Sequence, residues 1–261
     1  MHIRRLWPKR PIVVYDLGLD ESAATFLKSL CDVELRPFPF ENYPNYVQNL
    51  HQFRWKPIVI AMMLLEHDTV LYMDTSVQWN NDRLDYLHNR TVCDDEKRRL
   101  LPNVGPIVAC EKSPILINEF TGHGIFPAVH PDVYKFIPTK MEALLRTSEH
   151  GATAIYVRRT PEAMSIIKWW VLCALEEKCM SPPGSQLGCQ FGADRYKDYA
   201  KCHRFDQAVL NMLLANVYSY EPERYTTGLT GKDLHVERGT STPKDDLKNF
   251  MCDETSISTV T

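Results

Sequence analysis

Short β-branched or aromatic runs alternate with longer helical stretches along this chain, and few architectures accommodate that order. Ile12-Val13-Val14-Tyr15 is such a run, followed by Asp16-Leu17-Gly18 and by Asp20-Glu21-Ser22, the acidic, capped start of a helix. Val33-Glu34-Leu35-Arg36-Pro37-Phe38 alternates as a second strand, residues 56–66 read as a helix apolar almost all round, and residues 69–73 read as a third strand. Arg83-Leu84-Asp85-Tyr86-Leu87 reads as a helix, a charged stretch covers 94–99, and strands are expected at 106–110 and 152–157. Thr160 caps a helix that Pro161 opens and that runs to about Glu177; Ser181-Pro182-Pro183-Gly184-Ser185 breaks the chain, and residues 205–216 form a further helix. Strand alternating with helix predicts an α/β fold: one domain with a mainly parallel twisted sheet flanked by helices, its ligands beyond the carboxyl ends of the strands. Residues 240–261, rich in Ser, Thr, Asp and Lys, read as a flexible tail.

Composition narrows the function classes. With 30 basic against 33 acidic residues the net charge is -3, so there is no basic excess for phosphate backbones and nucleic acid is not an expected partner. The longest apolar run, 58–65, is ended by Glu66, His67 and Asp68, so no membrane span is expected. Residues 1–10 are basic without a following apolar region, which does not make a secretory signal; the chain reads either as cytosolic or as a fragment of a longer protein. Eight cysteines without any C-x-x-C spacing disfavour zinc and favour disulfides in an oxidising lumen, with free buried thiols as the alternative. The sequon Asn89-Arg90-Thr91 is compatible with a lumen and carries little weight.

Three constellations carry chemistry. Val70-Leu71-Tyr72-Met73-Asp74-Thr75-Ser76 delivers an Asp and a hydroxyl two residues apart at a strand's carboxyl end, where both can reach one hard cation such as Mg2+ or Mn2+; equally, Asp74 can cap the next turn. Lys56, in Phe53-Arg54-Trp55-Lys56-Pro57, lies eighteen residues before Asp74 at the start of a helix, placed either for a diphosphate or as a solvated lysine lying on Trp55. Arg204-Phe205-Asp206-Gln207, continuing to Leu210-Asn211, puts an acid and an amide in the first turn of a helix. There they either compensate the helix dipole or bond vicinal sugar hydroxyls, while Asn211 one turn on binds backbone. Thr121-Gly122-His123-Gly124 reads as a turn or, less readily, as an acceptor wall, and of Trp169-Trp170 one ring is expected in the core and the other outside it.

Tyr15-Asp16-Leu17-Gly18, Lys56 ahead of Asp74-Thr75-Ser76, and Asp206-Gln207 with Leu210-Asn211 together resemble the nucleotide-diphospho-sugar transferases of the GT-A fold, nearest a little-studied animal group. The order is also distantly similar to the retaining, glycogenin-like glycosyltransferases. The resemblance spans residues 11–239 and implies a single GT-A-like (Rossmann-like) domain that transfers a hexose from a UDP- or GDP-sugar to a glycan, lipid or protein acceptor, with retention. By position it implies Tyr15, Asp16 and Leu17 on the nucleoside, Lys56 on the donor, Asp74, Ser76 and His235 on a divalent metal (Mn2+ or Mg2+), and Asp206 and Gln207 on the transferred sugar. Lys232 and Arg238, flanking His235, would assist the diphosphate. It further implies the Golgi or ER lumen, with the cytoplasm as the alternative.

Ser76 departs from the family pattern, which has a second Asp there. A neutral hydroxyl is a weaker ligand, so the ion would bind chiefly through the donor's phosphates. The same departure fits a glycosyltransferase-like binding module without activity. A phosphate hydrolase of the haloacid dehalogenase type would use Asp74 as nucleophile but wants an Asp where Ser76 stands.

Overall fold

In the computed structural model, which describes residues 3–92, 112–237 and 250, the first half of the chain runs α1 (Ile3–Leu6), β1 (Ile12–Asp16), α2 (Glu21–Lys28), β2 (Val33–Pro37), α3 (Trp55–Glu66), β3 (Thr69–Met73), β4 (Val77–Trp79) and α4 (Leu84–Thr91). It continues as β5 (Ile115–Gly124), α5 (Met141–Leu144), β6 (Ser148–Arg158), α6 (Pro161–Leu175), α7 (Glu177–Met180), α8 (Phe205–Val217) and β7 (Leu234–Val236). These elements fall into two units, one of Met1–Asn42, Thr75–Asp82 and Thr230–Thr261, the other of Tyr43–Asp74 and Arg83–Leu229. The expected strand at 106–110, the charged stretch 94–99, Arg238, Cys252 and, apart from Phe250, the tail 240–261 lie outside the described residues; Phe250 itself is buried, its carbonyl accepting from Cys31 N–H at 2.8 Å.

In the first unit β1 and β2 pair in parallel, Ile12 opposite Val33 through Asp16 opposite Pro37, with α2 as the crossover. That helix starts as its sequence requires, the Asp20 carboxylate accepting from Ala23 N–H at 2.7 Å. β4 and β7 form an antiparallel pair, Gln78 opposite His235. Trp79 is buried there, its ring 5.4 Å from that of Trp7 and edge-on to it.

The second unit holds an antiparallel sheet of order β3-β6-β5. Helices α3, α6 and α8 pack together, α8 on β6 and α3 on β3. Ile60, Leu64, Ile117, Ile155, Val157, Ile167, Trp170 and Leu210 are among the buried side chains of its core. Thr160 caps α6, accepting from Ala163 N–H at 3.0 Å, with Pro161 at the first helical position. Trp170 is fully buried and Trp169 is 57% exposed, the split expected of the pair.

The protein is therefore mixed α/β with a small parallel sheet, but the described strands do not form a single, mainly parallel sheet. Among the described strand pairs only β1–β2 is parallel. Alternation of strand and helix was the wrong guide after β3, because the segment read as a turn at Thr121-Gly122-His123-Gly124 is the end of a ten-residue strand lying antiparallel to β6. Register shifts after Ile117, Asn118 and Phe120 break the period-two pattern that would have marked it as a strand. Gly122 sits at φ +82, and a Cβ on Gly124 would lie 2.7 Å from Tyr196 Cδ1, so both glycines serve the strand's course.

Disulfides Cys173–Cys179 and Cys189–Cys202 fit an oxidising, secretory or lumenal compartment, and among the described residues no cysteine is free. No helix among the described residues is long and apolar enough to cross a membrane. The Cys189–Cys202 bond closes a loop across thirteen positions, so replacing both by alanine is expected to lower the unfolding free energy by about 3 kcal/mol through loop entropy. Urea denaturation of the pair variant against the parent checks this, and an unchanged midpoint would show that the bond does not restrict the unfolded chain appreciably.

Candidate functional site

Three residues that the sequence keeps far apart meet in the second unit. Lys56 stands in the first turn of α3, Asp74 directly follows β3, and Asp206 stands in the first turn of α8. The Lys56 ammonium lies 2.8 Å from Asp206 Oδ2 and 3.3 Å from Asp74 Oδ1, and donates to the Ala152 carbonyl of β6 at 3.2 Å. It also lies 5.6 Å and 5.3 Å from the ring centroids of Phe53 and Tyr72. Asp74 is fixed from both ends, its N–H donating to Thr153 O at 2.8 Å and its Oδ1 accepting from Tyr72 OH at 2.7 Å.

Burial sets the electrostatics of the cluster. Lys56 and Asp206 are each 4% exposed, whereas the Asp74 side chain is 30% exposed and presents the cluster to the surface. Desolvation opposes the Lys56 charge, but Asp206 and then Asp74 outweigh it and hold the ammonium above its ordinary value. Burial raises Asp206, with Lys56 offsetting only part of the rise and Asp74 adding to it. One ammonium facing two carboxylates leaves the fully ionised cluster with one net negative charge. Lys56 donates to one carbonyl and is ion-paired with two carboxylates, so a phosphate would have to compete with those carboxylates for its charge.

Gln207 is half-buried beside the cluster, and its Oε1 lies 3.4 Å from the Ala152 N–H that donates to it. Asn211 stitches α8 to β6, accepting from His150 N–H at 2.9 Å and donating to His150 O at 2.7 Å and Gln207 O at 2.9 Å. It binds backbone, as its place one turn along the helix led us to expect. The helix starts from a strained residue: Phe205 has φ +41, in the left-handed region, held by ring packing on Phe53 at 6.4 Å and His203 at 5.2 Å.

On β6 lies a group that the reading of the sequence passed over. Glu149 is fully buried on β6, and burial pushes its carboxyl up to about 8, with Gln207 and Arg204 opposing the rise. It is thus protonated at neutral pH, and its ionisation weighs against the fold as pH rises through 8. Tyr72 was also missed, although on a strand residues two apart share a face and Tyr72 with Asp74 satisfied that rule.

The remaining expected site residues lie in the other unit. Asp16 makes an Asx turn after β1, its Oδ1 accepting from Gly18 N–H at 2.8 Å and Leu19 N–H at 2.7 Å, and these bonds hold the carboxyl below its ordinary value. Tyr15 pairs with Arg36 across β1–β2, and Leu17 follows in the turn. Ser76 accepts from Glu237 N–H at 2.8 Å through its carbonyl, two residues beyond His235, whose Nδ1 is 3.3 Å from Asn80 Nδ2.

Among the described residues no three or more His, Cys, Asp or Glu side chains are grouped to hold a metal ion. Asp74 faces an ammonium and already accepts from Tyr72, surroundings that disfavour a cation. Among the described residues, the side chains as placed do not by themselves group into a divalent-ion site.

Residues 1–61 match the model of a family described as a protein of unknown function (DUF1647). No curated protein shows significant similarity to the chain. Among solved structures, the galactosyltransferase LgtC in complex with donor and acceptor sugar analogues is similar over 91% of this chain and 80% of its own, at 12% identity and a TM-score of 0.46. That likeness is too loose to assign a fold.

Proposed function

We propose that the protein is a glycosyltransferase that moves a hexose from a UDP- or GDP-sugar to a glycan, lipid or protein acceptor in the Golgi or ER lumen. The observation that supports this is the meeting of Lys56, Asp74 and Asp206, the residues whose order along the chain resembles that of nucleotide-sugar transferases. Glycosyl transfer develops positive charge at the anomeric carbon and negative charge on the departing diphosphate. A cluster carrying one net negative charge, with Asp74 as its accessible member, suits the first of these. In this reading Asp206 and Gln207 face the sugar, and Lys56 holds the two carboxylates in position. Tyr15, Asp16 and Leu17 remain the proposed nucleoside contacts, with Ser76 and His235 the proposed companions of Asp74. A divalent ion, Mn2+ or Mg2+, would enter with the donor's phosphates, which supply the ligands that the side chains lack.

The pairing of Lys56 with two carboxylates and the serine at position 76 favour a second reading, a glycosyltransferase-like binding module without activity. Calorimetric titration with UDP and with GDP, each with and without manganese, separates the two. Micromolar binding of one nucleotide, strengthened by manganese and lost in Asp74→Asn, is the expected result. Failure of both nucleotides to bind the folded protein would overturn the transferase reading in favour of the module.

A further inference from the structure

We propose that Asn89 is an N-glycosylation site, and that the glycan is attached to the extended chain before α4 forms. Disulfides Cys173–Cys179 and Cys189–Cys202 fit the compartment in which this chemistry occurs, so nothing here depends on the transferase reading. Asn89-Arg90-Thr91 is the one Asn-x-Ser/Thr triplet of the sequence, and its middle residue is not proline. In the fold Asn89 is exposed, on the side of α4 away from the buried Leu87 and Thr91. A glycan on that side disturbs neither of the helix's buried side chains.

The order of events follows from helix geometry. The triplet requires an amide and, two residues on, a hydroxyl, so the transferring enzyme has to engage both together. Residues two apart on a helix point about 200° apart around its axis, whereas on an extended chain they share a side. Thr91 Oγ1 accordingly lies on the buried side of α4, donating to His88 O at 2.8 Å, while Asn89 faces outward. Distant contacts hold the helix in that state. Arg90 Nη2 donates to Glu223 O and Thr226 O, each at 2.8 Å, Tyr86 OH to Thr227 O at 3.0 Å, and Arg158 Nη2 to Thr91 O at 2.6 Å. These partners lie 67 to 141 positions further along the chain, so α4 cannot dock until they have been synthesised, and until then the triplet stays open to the enzyme. In the transfer the Asn89 amide nitrogen bonds to the anomeric carbon of a lipid-pyrophosphate oligosaccharide. The bond from that carbon to the pyrophosphate oxygen breaks, its electron pair leaves with the pyrophosphate, and the nitrogen gives up one proton.

The site is tested by directing the full chain into the endoplasmic reticulum of animal cells behind a cleavable leader and treating the recovered protein with peptide N-glycosidase, which leaves aspartate where a modified asparagine stood. Peptide mass spectrometry is expected to find that conversion at position 89. The mobility shift on deglycosylation should be lost in Asn89→Gln and in Thr91→Val and retained in Thr91→Ser; because transfer precedes folding, a variant that misfolds still reports it. An unmodified Asn89 in chain recovered from the lumen overturns the site. The order is tested on folded protein made without glycan and on the same full chain reduced and alkylated, each incubated with solubilised oligosaccharyltransferase and a lipid-linked oligosaccharide. Modification of the unfolded chain and loss of it in the folded protein is the expected result, and equal modification of both overturns the order.

Discussion

Replacing Lys56 by methionine is expected to lower the unfolding free energy at pH 7.5 by about 3–5 kcal/mol, the usual loss when one partner of a buried ion pair is removed. The substitution keeps the apolar stem against Phe53 and Tyr72 but leaves Asp206 buried without its cation and facing Asp74. The sign of the pH dependence follows from the two shifts. Lys56 is held above its ordinary 10.5, so its contribution is complete below that pH and is lost only as pH rises through the folded value. Asp206 is already raised above its ordinary 3.8 by burial and rises further without Lys56, so the variant's deficit shrinks on acidification as the carboxyl takes up a proton. Urea unfolding at pH 7.5 and pH 5 measures both, and Lys56→Met combined with Asp206→Asn should recover most of the loss. A deficit that is the same at both pH values would show that an unpaired carboxylate is not its cause.

Arg54→Ala is expected to cost a similar amount, about 3–5 kcal/mol. Arg54 is fully buried and donates to Gln52 Oε1 at 2.6 Å, Ala174 O at 2.7 Å, Glu176 O at 3.1 Å and Glu177 O at 2.5 Å, with its guanidinium 4.7 Å from the Tyr46 ring centroid. Those carbonyls belong to the end of α6 and the start of α7; without the guanidinium the Ala174 carbonyl would lose a buried donor, and those of Glu176 and Glu177 part-buried ones. Tyr46 OH adds a bond to Leu175 O at the same place. Arg54→Lys should restore less than half of the stability, because an ammonium cannot reproduce a planar fork with several donors. The urea midpoints of the two variants check this; equal stability of Arg54→Lys and the parent would show that one bond, not the fork, carries the effect.

Local chemistry was legible in the chain. Asp20 and Thr160 cap the helices their positions announced, α3 is nearly all apolar and largely buried, and Asp74 follows its strand. Asp16 shows the limit of such reading: its strand-end position was visible, whereas its turn bonds to Gly18 and Leu19 were not assigned beforehand. Sheet pairing was not legible, because β5 carries glycines and three register shifts that erase the two-residue period.

Caps, helix periodicity and strand-end residues depend on neighbours within a few positions, so the sequence by itself determined them. Partners are another matter. Lys56 finds Asp206 across 150 positions and Asn211 finds His150 across 61, and Glu149 gains its meaning only from what encloses it. Burial and charge pairing depend on long-range packing, and the Lys56 ammonium that read as either a diphosphate ligand or a surface charge became a buried counter-ion because three elements closed around it. The tertiary structure alone decided that, since desolvation is a property of the surroundings and not of the residue.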